Sequence, residues 1–216
     1  MLTVGFNKLF PMSLSSHLDM ARAILRALNR AELPIEYSKG FNPHKEIYYT
    51  PPLPLGVGSR SEYMTVYTDV SAQEFLKRYN QNAVKGLEAF SARGCIKNPN
   101  LAGILAAADY EIKLDEPQRF EKAVRCMLEG SEFVLEFENK EGIIIRRDVR
   151  NKIYKAELTG DKIKLMLSAG NDNLRVDKLF QSLCRTADVE YFAGDIIRTE
   201  LYALQNGVYK KYSELF

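Results

Sequence analysis

The chain has 216 residues, 46% of them hydrophobic, which is enough for one large core or two small ones. Lys and Arg number 30 against 28 Asp and Glu, and the net charge of +2 excludes bulk attraction as a way of holding nucleic acid; any phosphate contact must come from a local patch. The three cysteines, Cys95, Cys126 and Cys184, are odd in number and never form a C-x-x-C pair, which argues against a disulfide framework and fits a reducing compartment.

Met1 to Lys8 shows no basic start followed by a long apolar run, and no apolar stretch approaches a membrane span. A cytoplasmic protein without a membrane segment is therefore expected. Leu2 to Leu9 alternates as a strand, with Leu2, Val4 and Phe6 on one face. Ser16 and Asp19 give a capping-box-like start to a helix running to about Ala31. Its expected apolar face is Leu14, Leu18, Ala21, Leu25 and Leu28, with Arg22, Arg26 and Arg30 on another. Ile35 to Ser38 is read as a short strand, Gly40 to His44 as a turn, and Glu46 to Thr50 as strand again. After a Pro/Gly-rich stretch at 51–58, Glu62 to Asp69 reads as strand, Ser71 caps a helix over Ala72 to Gln81, and Leu87 to Ile96 is a further strand.

The pattern then restarts. Residues 98–108 form a connector. Asp109 to Leu114 is a strand, Glu116 to Glu129 a helix with Pro117 in its first turn, and Glu132 to Glu138 a strand. Gly142 to Leu158 is read as one extended segment, turning at Gly160-Asp161 into Lys162 to Ser168. A helix over Asp177 to Cys184 and a strand over Asp195 to Leu204 close the chain. The fold class expected is α+β, with two tandem ferredoxin-like (βαββαβ-type) halves and antiparallel sheets, the halves being 1–97 and 109–216.

The basic stretch from Arg146 to Lys155 carries most functional weight. On an extended segment, Ile143, Ile145, Val149 and Ile153 share one face, and Arg146, Asp148, Arg150, Lys152 and Tyr154 share the other. Arginine, lysine and an aromatic ring on one sheet face suit RNA, since guanidinium groups bind phosphate and rings stack on bases. An ordinary solvated strand face is the competing reading, as is a plain exposed helix face for Arg22 and Arg26. His17, Asp19, Tyr37 and His44 offer an alternative acid–base site, though no nucleophile elbow accompanies them and local capping and turn roles account for the same residues. The cysteines and histidines lack metal-ligand spacing, so no metal or cofactor is expected.

Several runs resemble one bacterial family: Ser16-His17-Leu18-Asp19-Met20, Tyr37-Ser38-Lys39-Gly40-Phe41-Asn42-Pro43-His44, Pro52-Leu53-Pro54-Leu55-Gly56-Val57 with Ser61-Glu62-Tyr63, Arg147-Asp148-Val149-Arg150 and Arg198-Thr199-Glu200. The family is the radical-SAM-linked domain of unknown function, found behind cobalamin-type radical SAM proteins or as a separate neighbouring chain. Lys45 and Asn151 stand where that family usually has proline. The resemblance implies a radical SAM partner and an RNA-linked setting. Together these readings lead to the expectation of a non-catalytic accessory module that binds RNA, a radical SAM enzyme, or both. Its expected contact residues are Arg22, Arg26, Lys39, Asn42, His44, Arg146, Arg147, Arg150, Lys152 and Tyr154. A small enzyme using His17, Asp19, Tyr37 and His44, or a protein scaffold without nucleic acid, are the alternatives.

Overall fold

A computed structural model describes residues 1–138 and 142–216. The chain opens with β1 (Leu2–Lys8), a strand buried along nearly its whole length because it is sandwiched between β3 (Gly58–Val66) and β4 (Ala89–Gly94), antiparallel to both. Helix α1 (His17–Arg30) starts where expected, with the Ser16 hydroxyl accepting the Asp19 amide. Of its expected face only Leu28 is buried. It enters the core with Met20, Ile24 and Ala27, whereas Leu14, Leu18 and Leu25 stay exposed. Both stripes have helical spacing, so periodicity alone could not choose between them.

Strand β2 (Ile47–Tyr49) pairs with β3, and α2 (Ala72–Asn82), capped by Ser71, packs on β4. The strand expected over Ile35 to Ser38 reduces to a single bridge between Tyr37 and Lys45, because the chain leaves the sheet at once into the 38–44 turn. In the second half, β5 (Leu105–Lys113) begins inside the expected connector. A 3-10 turn at Pro117–Phe120 precedes α3 (Glu121–Glu129), then a separate two-stranded hairpin forms from β6 (Val134–Glu138) and β7 (Ile144–Asp148). Strands β8 (Ile153–Thr159) and β9 (Lys162–Ser168) turn at Gly160 as expected, and α4 (Val176–Ala187) leads to β10 (Ile196–Gln205). A last strand β11 (Val208–Lys211) and a short helix α5 (Tyr212–Leu215) were not anticipated.

Among the described residues nine strands form one mainly antiparallel sheet, ordered β4-β1-β3-β10-β5-β9-β8, with β2 on β3 and β11 on β10. The two halves, expected to carry antiparallel sheets, share this one sheet. β10 pairs in parallel with the start of β3, Ile197 opposite Gly58 and Arg198 opposite Ser59, and so joins the halves. Helices cover two apolar clusters. One holds Val4, Phe6, Ile24, Leu28, Met64 and Phe75; the other holds Ile112, Phe120, Met127, Ile163, Leu179 and Ile196. The C-terminus ties the halves again: Tyr63 on β3 meets Tyr212 at 5.4 Å between ring centroids, and the Tyr212 hydroxyl donates to the Leu101 carbonyl at 2.6 Å. No helix among the described residues is long and apolar enough to cross a membrane.

Candidate functional site

The basic segment expected to be one extended strand is broken in two. Strand β7 ends at Asp148, a 3-10 turn spans Arg150–Lys152, and β8 begins at Ile153 in a different sheet. The turn is locked from within. The Asp148 carboxylate accepts the Phe133 amide at 2.9 Å and the Arg150 amide at 3.0 Å, and these amides hold its carboxyl below the usual carboxylate range. Arg150 then points inward, its guanidinium donating to the carbonyls of Leu128 and Gly130 at the end of α3 and to that of Ile153 at the start of β8. It thus does what cations commonly do at helix C-termini, filling carbonyls that have no intrahelical donor.

The other members of the expected RNA face also separate. Arg146 pairs with Glu136 across the β6–β7 hairpin at 2.7 Å, and Lys152 pairs with Asp172. Arg147 is exposed on the hairpin, while Tyr154 lies 5.5 Å from the Tyr209 ring, on the main sheet. The groove of about 730 Å³ between the hairpin and α4 is lined by Glu136, Arg146, Asp148 and Arg185, two acids against two bases. A phosphate backbone would meet balanced charge there rather than an excess of cations.

The alternative acid–base residues are held by separate local contacts. His17 sits edge-on to Tyr49 at 5.6 Å; Asp19 bonds Ser16 and Arg22; His44 Nδ1 lies 3.0 Å from the Ser38 hydroxyl; and Tyr37 is exposed. Among the described residues no hydrogen bond or ring contact joins the four to one another. Arg22 is engaged by Asp19, whereas Arg26 and Lys39 are exposed and form no ion pair among the described residues. The same half exposes several large apolar side chains: Phe10, Leu14, Leu18, Leu25, Phe41 and Leu55 all reach solvent, Leu18 at 65% and Phe41 fully.

What sequence reading missed lies at the seam between the halves. Strand register puts Lys8, Ser59, Arg198 and Tyr110 in one row across β1, β3, β10 and β5. Residues directly opposite in a pleated sheet project from the same face. The Arg198 guanidinium is 3% exposed and donates Nη2 to Glu62, whose other oxygen accepts from the Thr50 hydroxyl at 3.4 Å. Tyr110 hydrogen-bonds the same guanidinium, but among the described residues the Arg198 Nε has no hydrogen-bond partner. Lys8 is buried in the same row, and burial lowers the pKa of its ammonium, with Glu62 opposing and Arg198 adding to the shift. Beside Arg198 the structure leaves a cavity of about 50 Å³ whose walls include Pro52, Pro54, Tyr110, Asn173 and Arg175. On β10, Glu200 accepts the Ser61 hydroxyl at 3.3 Å and the Ser213 hydroxyl, tying β3 and α5 to the same strand.

A family model described as an uncharacterized protein conserved in bacteria, DUF2344, matches residues 2–176. The chain belongs to DUF2344. No curated protein matches the chain. Within the DUF2344 match fall Lys8, Glu62 and Tyr110, and the match ends at the first residue of α4. The partner that neutralises Glu62 comes from beyond the match, on β10. The runs Ser61-Glu62-Tyr63 and Arg198-Thr199-Glu200, 136 residues apart at the ion pair, thus meet through the Glu62–Arg198 pair and the Ser61–Glu200 hydrogen bond. Those runs were the signal in the sequence. Their meeting was not, since nothing local in either strand specifies a parallel pairing with the other.

Proposed function

We propose that this DUF2344 chain is a non-catalytic accessory module that docks on a partner protein in a cytoplasmic RNA-modification or processing setting, with a radical SAM enzyme as the partner class that the sequence resemblance implies. The observation that carries the reading is the outward apolar stripe. Leu14, Leu18 and Leu25 follow helical spacing yet face solvent, on and just before a helix that already buries Met20, Ile24, Ala27 and Leu28 in its own core. A helix apolar on two sides has one side too many for a chain that works alone. Phe10, Leu55 and the fully exposed Phe41 extend the apolar surface of this half.

RNA is the second reading, favoured by Arg26 and Lys39, which have no carboxylate partner, with Asn42 and His44 exposed near Lys39. It moves the nucleic-acid contact away from the Arg146 to Tyr154 segment and into the first half. The same proposal treats 1–97 and 109–216 as tandem ferredoxin-like units joined by 98–108. Support comes from the strand orders β4-β1-β3-β2 and β10-β5-β9-β8, the second with the β6–β7 hairpin inserted.

The test is co-expression with a radical SAM protein from the same genome, followed by titration of the purified pair. Leu18→Glu with Leu25→Glu should weaken the complex roughly tenfold or more while leaving the melting curve in place, because neither side chain is in the core. Filter binding to RNA across a salt series runs beside it, with Arg26→Ala and Lys39→Ala flattening the slope if RNA is held there. No complex with wild type, or unchanged affinity in the double variant, overturns the docking proposal.

A further inference from the structure

We propose that the cavity beside Arg198 is a binding site for one small oxyanion group, a phosphate or a carboxylate, held by the Arg198 Nε–H and the first turn of α4. The inference does not depend on the docking reading.

The inference begins with an unsatisfied charged donor. Arg198 is 3% exposed, and its Nε is one of two buried side-chain polar atoms without a partner among the described residues. A guanidinium cannot shed its proton to escape burial, so each unfilled N–H keeps its desolvation cost. Such a group in a native structure calls for a missing acceptor. The cavity that Arg198 lines supplies the place for one.

One further wall, the start of α4, also supplies donors. Val176, the first residue of α4, lines the cavity, and the helix has no side-chain cap: its N-cap residue is Arg175, whose guanidinium turns instead to Asp177 at 3.1 and 2.5 Å. The first-turn amides of a twelve-residue helix thus lack the acceptor that a Ser or Asp cap would provide. An anion at that position gains from those amides and from the helix dipole. Across the cavity Pro51, Pro52 and Pro54 contribute walls without amide donors, so they neither compete for the ligand nor flex readily.

Charge points the same way. The buried row holds Lys8 and Arg198 against the single carboxylate of Glu62, while Arg175 and Asp177 neutralise each other. One negative charge in the cavity would balance the row. The cavity is also built rather than incidental. Gly170 adopts φ +75°, and a Cβ there would meet the Leu105 carbonyl oxygen at 2.1 Å. The turn is further fixed by the Ser168 hydroxyl donating to the Asp172 carbonyl at 2.8 Å. A space of about 50 Å³ takes a few waters or one oxyanion head, and it excludes a base or sugar.

Inorganic phosphate and acetate are the probes, each titrated against the full chain at constant ionic strength with chloride as reference. Calorimetry and melting temperature are read together. Saturable one-to-one binding of phosphate, of acetate, or of both supports the site, and the stronger arm tells a phosphoryl source from a carboxylate source. Arg198→Lys keeps a cation opposite Glu62 but removes Nε–H, and should weaken binding roughly tenfold or more. Should that variant fold poorly, Arg175→Gln at the exposed rim decides the matter: it leaves the Asp177 carboxylate without its cation in the first turn of α4, which repels an anion there and should weaken binding, and Arg125→Gln on the outer face of α3 is the unaffected control. If neither anion shifts the melt beyond chloride, or if the shift is the same in Arg175→Gln as in wild type, there is no oxyanion site and water fills the cavity.

Discussion

Glu62→Gln removes the carboxylate opposite Arg198 while keeping the side chain's size. Both partners are 4% exposed, so the guanidinium left behind cannot regain water without the seam opening. Breaking one side of a buried pair costs about 3–5 kcal/mol, chiefly the penalty of an uncompensated charge. For a chain of this length each kcal/mol lowers the melting temperature by about 2–4 °C, so a fall of roughly 6–20 °C is expected. Lys8 sharpens the test. Burial already lowers the pKa of its ammonium, and Glu62 is the attraction opposing that shift. In Glu62→Gln the folded chain therefore binds fewer protons than the unfolded one as Lys8 titrates, and the variant's stability should climb with alkaline pH more steeply than that of wild type. Urea melts followed by circular dichroism measure both effects. The companion Glu62→Met/Arg198→Met removes both charges and should be more stable than Glu62→Gln, because no guanidinium is left unpaired and only Lys8 loses its counter-charge. A single Glu62→Gln variant within about 0.5 kcal/mol of wild type would refute the buried pair as described.

Arg150→Ala should destabilise by about 1–3 kcal/mol, because two carbonyls at the end of α3 and one at the start of β8 lose a charged donor; urea melts give the total, and faster amide exchange in the last turn of α3 gives the place. An unchanged melt would return Arg150 to the role of a free surface cation. Asp148 has a folded-state pKa held low by the Arg150 and Phe133 amides, so its contribution is complete above the unfolded carboxylate range and is lost as pH falls through the folded value. Asp148→Asn should therefore flatten the acid side of the stability curve between about pH 2 and 5, read from urea midpoints, and an identical slope in the two proteins would count against the turn.

Much of the local structure was legible along the chain. The Ser16 and Ser71 caps, the turn at Gly160 and the whole of β9 follow from side-chain preferences within a few residues of each element. The α1 core face and the Arg146 to Tyr154 strand were not legible, for different reasons. Two apolar stripes on α1 satisfy the same period, and only the sheet beneath selects Met20, Ile24 and Leu28. The basic segment alternates like a strand, yet Asp148 finds two amides nearby and Arg150 finds the end of α3, and those contacts outweigh continued extension. Of the residues expected to bind RNA, Arg26 and Lys39 in the first half remain exposed and unpaired.

The sequence by itself determined an α+β chain with its helices and strands mostly in place, because periodicity and capping act over distances of one turn or one strand. The tertiary structure alone decided that β10 would run beside β3, that Lys8, Ser59, Arg198 and Tyr110 would share one buried row, and that Glu62 would reach Arg198 in it. A strand specifies which of its faces is apolar, but its neighbour is chosen by the closure of the whole sheet, where burying two cores at once outweighs any preference written within either strand.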